Sequence, residues 1–326
     1  MSEGKKSRGL GIFSGGLDSM LAVKVLQQAG VEVAVVTFAT PFFSPERAMV
    51  SAKHIGAPLQ VAQVGGPHLA LVKDPPHGYG SNMNPCIDCH AFMFARAGKI
   101  MAEQGFDFLF SGEVLGQRPM SQNKQALAQV AKLSGMAEHI LRPLSAQVLP
   151  VSPVEERGLV ERELLLGLSG RSRKPQMALA EEFGVSDYPA PAGGCLLTEP
   201  GFSNRLRDLF NHQPDAGLAE VELLKQGRHL RLSPQAKLIV GRNQRENQIL
   251  EKLSPPSAHW LITQGLPGPL GLYFGPLDGP DLELAAALVA GYGKAGPGQV
   301  VTVDVDQDRS LEVSAQGPRL AAPYLL

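Results

Sequence analysis

Strands alternating with helices through the first two thirds of the chain predict an α/β fold on a parallel sheet, with a second, smaller α+β domain behind it. Three observations carry this. A short apolar run, 10–13, ends in paired glycines, and Leu17, Leu21, Val23, Val25 and Leu26 then follow at helix-like spacing up to Gly30. Further apolar runs recur at 31–38, 58–64, 106–110 and 140–144, with intervening segments of the length and pattern of helices. Around 211–218 the pattern changes, with Asn, His, Gln, Pro, Asp and Gly clustered together.

In order, the reading is strand 10–13, tight glycine loop, helix to about 29, strand 31–38, helix 45–54 and strand 58–64. A loop at 65–85 contains glycines and prolines, a helix is expected over about 88–104, and strand 106–110 ends in Ser111-Gly112-Glu113. Strand 140–144, helices before and after Lys174, and a short helix at 203–210 close a first domain of residues 1–212. Parallel strands joined by helices imply right-handed crossovers. Residues 213–326 form the second domain, with strands at 236–240, 260–263, 270–274, 300–305 and 311–314 and helices near 244–253 and 281–292. Neither a repeat nor a low-complexity segment is visible.

The 326 residues suffice for one large core and a smaller second one. No window approaches the roughly 20 apolar residues of a membrane span, and residues 1–9 are polar and basic, so a soluble cytoplasmic chain is expected. A formal net charge of −1 means that a nucleic-acid partner would be met by local basic patches and not by a global field. The three cysteines, Cys86, Cys89 and Cys195, are a poor disulfide scaffold in a reducing compartment and a better metal or sulfur-chemistry set.

The string Ser14-Gly15-Gly16-Leu17-Asp18-Ser19 carries the first chemistry. A strand-to-helix turn with two glycines brings backbone N–H groups against an anion, and the helix adds its positive end. Ser14 and Ser19 add hydroxyls. Asp18 beside a phosphate is repulsive unless a metal or the loop N–H groups hold it, and Mg²⁺ bridging carboxylate and pyrophosphate resolves this. With no lysine after the glycines, this is neither the GxxxxGK[ST] loop nor GxGxxG. The string resembles the signature of the PP-loop ATP pyrophosphatases, which cleave ATP between the α and β phosphates to adenylate a substrate oxygen. The resemblance implies a Rossmann-like fold of the adenine nucleotide alpha hydrolase kind. It also implies pyrophosphate held by Ser14, Gly15, Gly16, Asp18 and Ser19, with adenine near Thr37 and Phe38.

The cysteines bear on what replaces the activated oxygen. Cys86 and Cys89 lie three apart at an expected helix start, where the partial positive charge favours thiolates, and Cys195 lies in PAPAGGCLLTEP. Two uses compete. Three thiolates can hold a [4Fe–4S] cluster with one iron left open for sulfide. Alternatively, Cys195 carries a persulfide and Cys89 resolves the resulting disulfide. Zinc, with only three clear ligands, is a weaker third. NPCIDCHAFMFARAGKIMAEQGFDFLFSGE is similar to a stretch of the tRNA 2-thiouridine synthetases, and SGEVLGQRPMSQNKQAL followed by ILRPL is similar to the 4-thiouridine synthetases, so the resemblance covers residues 8 to about 210. It implies an ATP-dependent tRNA sulfurtransferase that adenylates a uridine carbonyl oxygen and replaces it with sulfur, Cys195 being the sulfur-bearing or catalytic residue. The implied partners are tRNA and a sulfur donor such as a cysteine desulfurase or a sulfur carrier.

Gly112 and Glu113 end a strand where open α/β sheets bind ligands, so Gly112 is a candidate nucleotide contact. Gln117, Arg118, Ser121 and Gln122 form a polar cluster expected to face nucleotide or target base. Arg171, Arg173 and Lys174 form a basic run, and Lys174 lies where the 4-thiouridine synthetases carry a functional lysine. His54, His77 and His90 show no spacing that demands a metal. Those synthetases carry RNA-binding domains ahead of the ATP loop, whereas here only residues 1–9 precede the first strand, so RNA binding is expected on the C-terminal side. There Lys225, Arg228, Arg231, Lys237, Arg242, Arg245 and Lys252 outnumber Glu246 and Glu251. SPQAKLIVGRNQRENQIL resembles the VGRN-containing RNA-binding region of the ribosome quality-control protein family, implying that Arg242 and Asn243 lie in a turn near phosphate. Two alternatives stay open: a PP-loop ligase or thiolase acting on a non-RNA small molecule, and a non-enzymatic RNA- or ribosome-binding protein with a regulatory nucleotide site.

Overall fold

The computed structural model describes residues 6–118, 120–188 and 194–326, and the stretch PAPAG before Cys195 lies outside them. The chain divides into two compact units between Thr198 and Glu199.

The first unit contains β1 (Arg8–Ile12), α1 (Leu17–Gln28), β2 (Glu32–Ala39), α2 (Glu46–Ile55), β3 (Leu59–Gln63), α3 (Gly65–Lys73), α4 (Cys86–Gln104), β4 (Phe108–Ser111), α5 (Lys124–Ser134), β5 (Ile140–Leu141), α6 (Pro153–Glu156) and α7 (Lys174–Glu182). Its five strands are parallel, in the order β3-β2-β1-β4-β5. Alternation along β2 shows why both faces are buried. Val33 and Val35 join the core formed with α1 and α2, whereas Val36 and Phe38 pack with Phe94, Ala97 and Met101 of α4 and Val130 of α5. The chain proceeds outward on one side of β1 and then crosses to β4 on the other. The carboxyl ends of β1 and β4 therefore flank the point where strand order reverses, the usual ligand crevice of an open α/β sheet.

Some elements differ from expectation. Helix α3 occupies part of the expected 65–85 loop, with Leu69 and Val72 buried, and α4 starts at Cys86 instead of 88. The helix before Lys174 is the short α6, and α7 begins at Lys174 itself. Between them, backbone N–H groups of Leu166 and Leu168 donate to the carbonyls of Pro143 and Leu144, so that stretch runs extended beyond β5.

The second unit contains α8 (Pro200–His212), α9 (Leu218–Leu223), β6 (Arg228–Ser233), β7 (Ala236–Val240), α10 (Gln244–Leu253), β8 (His259–Thr263), β9 (Gly271–Phe274), α11 (Pro280–Tyr292), β10 (Val300–Val305), β11 (Arg309–Ser314) and α12 (Pro318–Ala321). Six antiparallel strands run in the order β11-β10-β8-β9-β7-β6. Leu238 and Val240 pack with the alanine-rich α11 on one face, and Ile239 and Leu272 pack with Leu223 and Leu250 on the other. Strand β6 was not anticipated, because RHLRLS mixes cations with its two inward leucines, Leu230 and Leu232.

Helix α8 belongs to this unit, so the expected boundary at 212/213 falls one helix earlier. The cause is Asp208, which is buried on α8. It accepts from Arg231 Nε and Nη2, each at 2.8 Å, and from Lys237 Nζ at 3.0 Å. Burial pushes this carboxyl up, and Arg231 and Lys237 more than offset that. Replacing Asp208 by Ala leaves two cations facing each other at the α8 contact. A loss of about 3 kcal/mol in the stability of this unit is expected, read from the urea midpoint of fluorescence from Trp260, the chain's single tryptophan. An unchanged midpoint would deny Asp208 this anchoring role.

Candidate functional site

The turn between β1 and α1 is shaped by close backbone approach. Gly15 has φ 73°, and a Cβ there would stand 2.8 Å from the backbone of Arg47 and Ala48 on α2. Ser51 Oγ donates to the Gly15 carbonyl at 2.9 Å, which fastens the turn to the same helix. Ser19 Oγ donates to the Gly16 carbonyl at 2.7 Å, and Gly16 N–H donates to Ser14 Oγ at 3.3 Å. Helix α1 has no side-chain cap, so its first amides point out of the turn with the positive end of the helix behind them. An anion suits that place.

Asp18, in the first turn of α1, is held in a polar chain. Gln117 Nε2 donates to Asp18 Oδ2 at 2.7 Å, and Gln176 Nε2 on α7 donates to Gln117 Oε1 at 2.6 Å. Burial pushes the Asp18 carboxyl up, while Arg173, Gln117, Arg118 and Gln176 oppose that push. Asp18 Oδ1 is buried with no hydrogen-bond partner among the described residues. Gly112 completes the fit, since a Cβ there would be 2.5 Å from the backbone of Asp18 and Ser19. Gly112 therefore serves by letting the end of β4 close against α1.

Glu113 is a buried anchor beneath this crevice. It accepts from Arg142 Nε at 2.9 Å and from Ser111 Oγ at 3.0 Å, and it pairs with His90 Nδ1 at 3.0 Å. Burial pushes its carboxyl up, but Arg142 and His90 outweigh this and hold it at about 2.

Cys86 and Cys89 open α4, as expected from the sequence, and Cys195 immediately precedes a single 3₁₀ turn, Leu196–Thr198. All three are free thiols. They share one electrostatic neighbourhood: Cys86 and Cys195 both act on Cys89, and Cys86 acts on Cys195. The expected thiolate at Cys89 is corrected. Burial, with the nearby Cys195, Cys86 and Asp88, pushes that thiol up despite the helix start. Burial likewise pushes the Cys195 thiol up to about 11, with Arg118 pulling the other way. Asn84 Nδ2 donates to Cys86 Sγ at 3.2 Å. His68 Nε2 lies 3.1 Å from Cys89 Sγ, its ring enclosed by Phe42, Phe43 and Phe92. Burial lowers His68 to about 4, so it is neutral at neutral pH.

Two links join the turn to the thiols. Arg118 acts electrostatically on both Asp18 and Cys195. The Leu196 amide donates to the Phe42 carbonyl just past β2 at 2.9 Å, and Arg47 lies beside Gly194. Ser14, Gly15, Gly16, Asp18, Ser19, Gly112, Gln117, Arg118 and the three cysteines are thus gathered at the carboxyl end of the sheet.

Other expected residues stand elsewhere. Phe38 is buried in the α4 side of the core, and Thr37 is buried one residue earlier, inside β2 and not at its end. Gln117 is engaged by Asp18 and Gln176 and not turned to an open base pocket. Gln122 is buried, and its Oε1 has no partner among the described residues. Lys174 is exposed, and the cations acting on Asp18 are its neighbour Arg173 and, less strongly, Arg118. His68, Arg142 and Gln176 were not singled out from the sequence, and Arg173 was named only as part of the basic run around Lys174.

In the second unit the basic stretch is largely neutralised from within. Arg231 and Lys237 turn inward to Asp208, Lys225 pairs with Glu222 at 2.7 Å, and Arg228 lies over the Tyr292 ring. Arg242 is exposed and pairs with Glu246 at 2.7 Å, while Asn243 caps α10 by accepting from the Glu246 amide.

Fold and turn define a parallel-sheet α/β unit with an anion-suited strand-to-helix turn, followed by a separate antiparallel-sheet unit. The family model for the NFACT protein RNA binding domain matches residues 227–318, within the second unit. The chain is 27% identical over 154 residues, 44% of its length, to a probable tRNA sulfurtransferase of Lactobacillus gasseri. It spans only 36% of that relative. Both resemblances read from the sequence are thereby matched, the tRNA thiouridine synthetase group and the RNA-binding region. Among solved structures, a predicted subunit of tRNA methyltransferase from Methanocaldococcus jannaschii is 18% identical, with 54% of this chain and 76% of that chain covered at a TM-score of 0.36. The C-terminal part of a fibronectin/fibrinogen-binding protein from Streptococcus suis is 15% identical, with 74% and 96% covered at 0.28. Likenesses this slight leave the fold to rest on its own strand order.

The Glu113 anchor has a pH signature. Its folded-state value lies below the ordinary 4.5, so its contribution is present above that value and is lost as pH falls through it toward about 2. Acid titration followed by far-ultraviolet circular dichroism should show wild type losing stability across this window. A Glu113→Gln variant should start lower and lose less over the same range. Parallel curves for the two proteins would contradict the assignment.

Proposed function

We propose that the chain is an ATP-dependent tRNA thiolase, acting in the cytoplasm, that adenylates a uridine carbonyl oxygen and replaces it with sulfur delivered at the cysteines. The observation that carries this reading is that the uncapped start of α1 with Asp18, and the Cys195 segment, tied by the Leu196 amide to the Phe42 carbonyl just past β2, both stand at the carboxyl end of the sheet. Activation and substitution must occur at one carbon, so the groups serving them have to face one place.

In this reading the uncapped start of α1, with Ser14, Gly15, Gly16 and Ser19, receives the pyrophosphate of ATP. Adenine lies toward the end of β2, beyond Thr37 and Phe38. The uridine oxygen attacks the α phosphorus and pyrophosphate leaves; sulfur then attacks the adenylated carbon and AMP leaves. Arg118 and Arg173 offset negative charge that builds between the turn and the thiols. The buried, unpaired Asp18 Oδ1 fits a Mg²⁺ ligand, and the ion would supply charge neutralisation at the pyrophosphate. Gln117 and Gln176 keep the other oxygen turned away, so the carboxylate presents one free edge.

Zinc is the weaker choice for these cysteines, because they supply only three clear ligands. Three cysteine thiols in one electrostatic neighbourhood are the donor type of a [4Fe–4S] cluster with one iron left open. Cys86, Cys89 and Cys195 would hold it, and its unligated iron would supply a binding place for sulfide. tRNA and a sulfur donor are the partners this reading requires, with the NFACT-like unit serving RNA capture. No helix among the described residues is long and apolar enough to cross a membrane.

Two variants separate the halves of the site. Cys195→Ala should abolish thionucleoside formation while ATP binding stays within about twofold of wild type, and Asp18→Ala should lose both. Equal loss of ATP binding in the two variants would contradict the division. Anaerobically purified wild type should show an iron-dependent visible absorption band that Cys195→Ala lacks. An active, colourless wild type would replace the cluster with a persulfide on Cys195.

A further inference from the structure

Once the internal pairings of the second unit are set aside, one cation stands out. Arg205 lies on α8 with its guanidinium carbon 5.8 Å from the centre of the Phe202 ring. Its Nε is buried and unpaired, and its side chain makes no ion pair or hydrogen bond among the described residues. Its electrostatic neighbours are Arg242, Lys237 and His229. His229 is fully buried and pushed far below its ordinary value, so it contributes no charge at neutral pH. The two nearby carboxylates are already engaged: Asp208 holds Arg231 and Lys237, and Glu246 holds Arg242. Four cations, Arg205, Arg231, Lys237 and Arg242, thus stand against two carboxylates.

A guanidinium does not shed its proton, so a half-buried arginine beside another arginine is an unfavourable arrangement until an anion completes it. Its planar fork suits a phosphate oxygen pair, and Arg242, just ahead of α10, adds its positive charge nearby. We propose that Arg205 and Arg242 together form a binding site for a backbone phosphate of RNA. This extends the RNA-contacting surface to α8, outside residues 227–318 matched by the family model. The inference rests on the RNA-binding part of the function proposed above. RNA is favoured over a free anion because the site adjoins that matched segment and because its surplus charge is open to solvent at Arg242.

The test titrates the full chain, Arg205→Gln and Arg205→Lys with an unmodified tRNA transcript by fluorescence anisotropy across a salt series. Loss of one phosphate contact should reduce the magnitude of the slope of log affinity against log salt by about 0.7–0.9 in Arg205→Gln. Arg205→Lys keeps the charge and should keep the wild-type slope. A wild-type slope in Arg205→Gln would overturn the site, as would equal loss in both variants accompanied by a lowered unfolding midpoint. Inorganic phosphate, added at constant ionic strength, distinguishes the two sources of the ligand. If it stabilises wild type and not Arg205→Gln while their RNA slopes agree, the site takes a free anion and the proposal fails. A wild-type chain that binds no transcript at any salt would remove the RNA-binding reading itself, an outcome distinct from loss of Arg205's part alone.

Discussion

Burial of one carboxylate, Asp18, at the start of α1 constrains most of the first unit. An acidic side chain there suits the positive end of the helix, but removing it from water is unfavourable unless neighbours compensate. Compensation comes from two separate segments: Gln117 and Arg118 after β4, and Arg173 and Gln176 at the start of α7. These segments can reach Asp18 only because Gly112 lets β4 close against the α1 backbone and because Gly15 lets the turn lie against α2. Glu113 then fixes the end of β4 from below through Arg142 and His90. The crevice at the strand reversal is therefore preorganised by polar contacts and not by the parallel sheet alone.

The same residues bring the thiols into the account. Arg118 is exposed yet lies within electrostatic range of Asp18 and Cys195, and the Cys195 segment is tied to the end of β2 by the Leu196 amide. Cys89 is the most enclosed of the three sulfurs, with a neutral histidine in an aromatic cage against it. Buried thiols with raised values hold their protons until a metal or a strong base takes them. An isolated Cys195 thiol held at about 11 is a poor nucleophile at neutral pH.

What the sequence disclosed follows from what is local. SGGLDS could be read because a turn, a helix start and their anion-binding geometry are written in six consecutive residues, and CxxC marked the start of α4 for the same reason. Arg173 and Gln176 could not be read, because their partner Asp18 is some 150 positions away and a basic run looks solvated in one dimension. Arg231 and Lys237 misled in the opposite sense, since they look like an RNA-facing stripe and instead close over Asp208. That inward turn also moved the domain boundary. His68 lay in a stretch expected to be loop, and nothing in its spacing pointed to Cys89.

The central claim is that one crevice couples cleavage of ATP to sulfur insertion into RNA. Stoichiometry tests it most directly. Purified protein, unmodified tRNA, ATP, Mg²⁺ and sulfide are incubated anaerobically, and AMP, pyrophosphate and thionucleoside are counted by chromatography and mass spectrometry. The account predicts equal amounts of all three, with AMP formation dependent on tRNA. AMP and pyrophosphate formed with no thionucleoside, or at the same rate without tRNA, would contradict it.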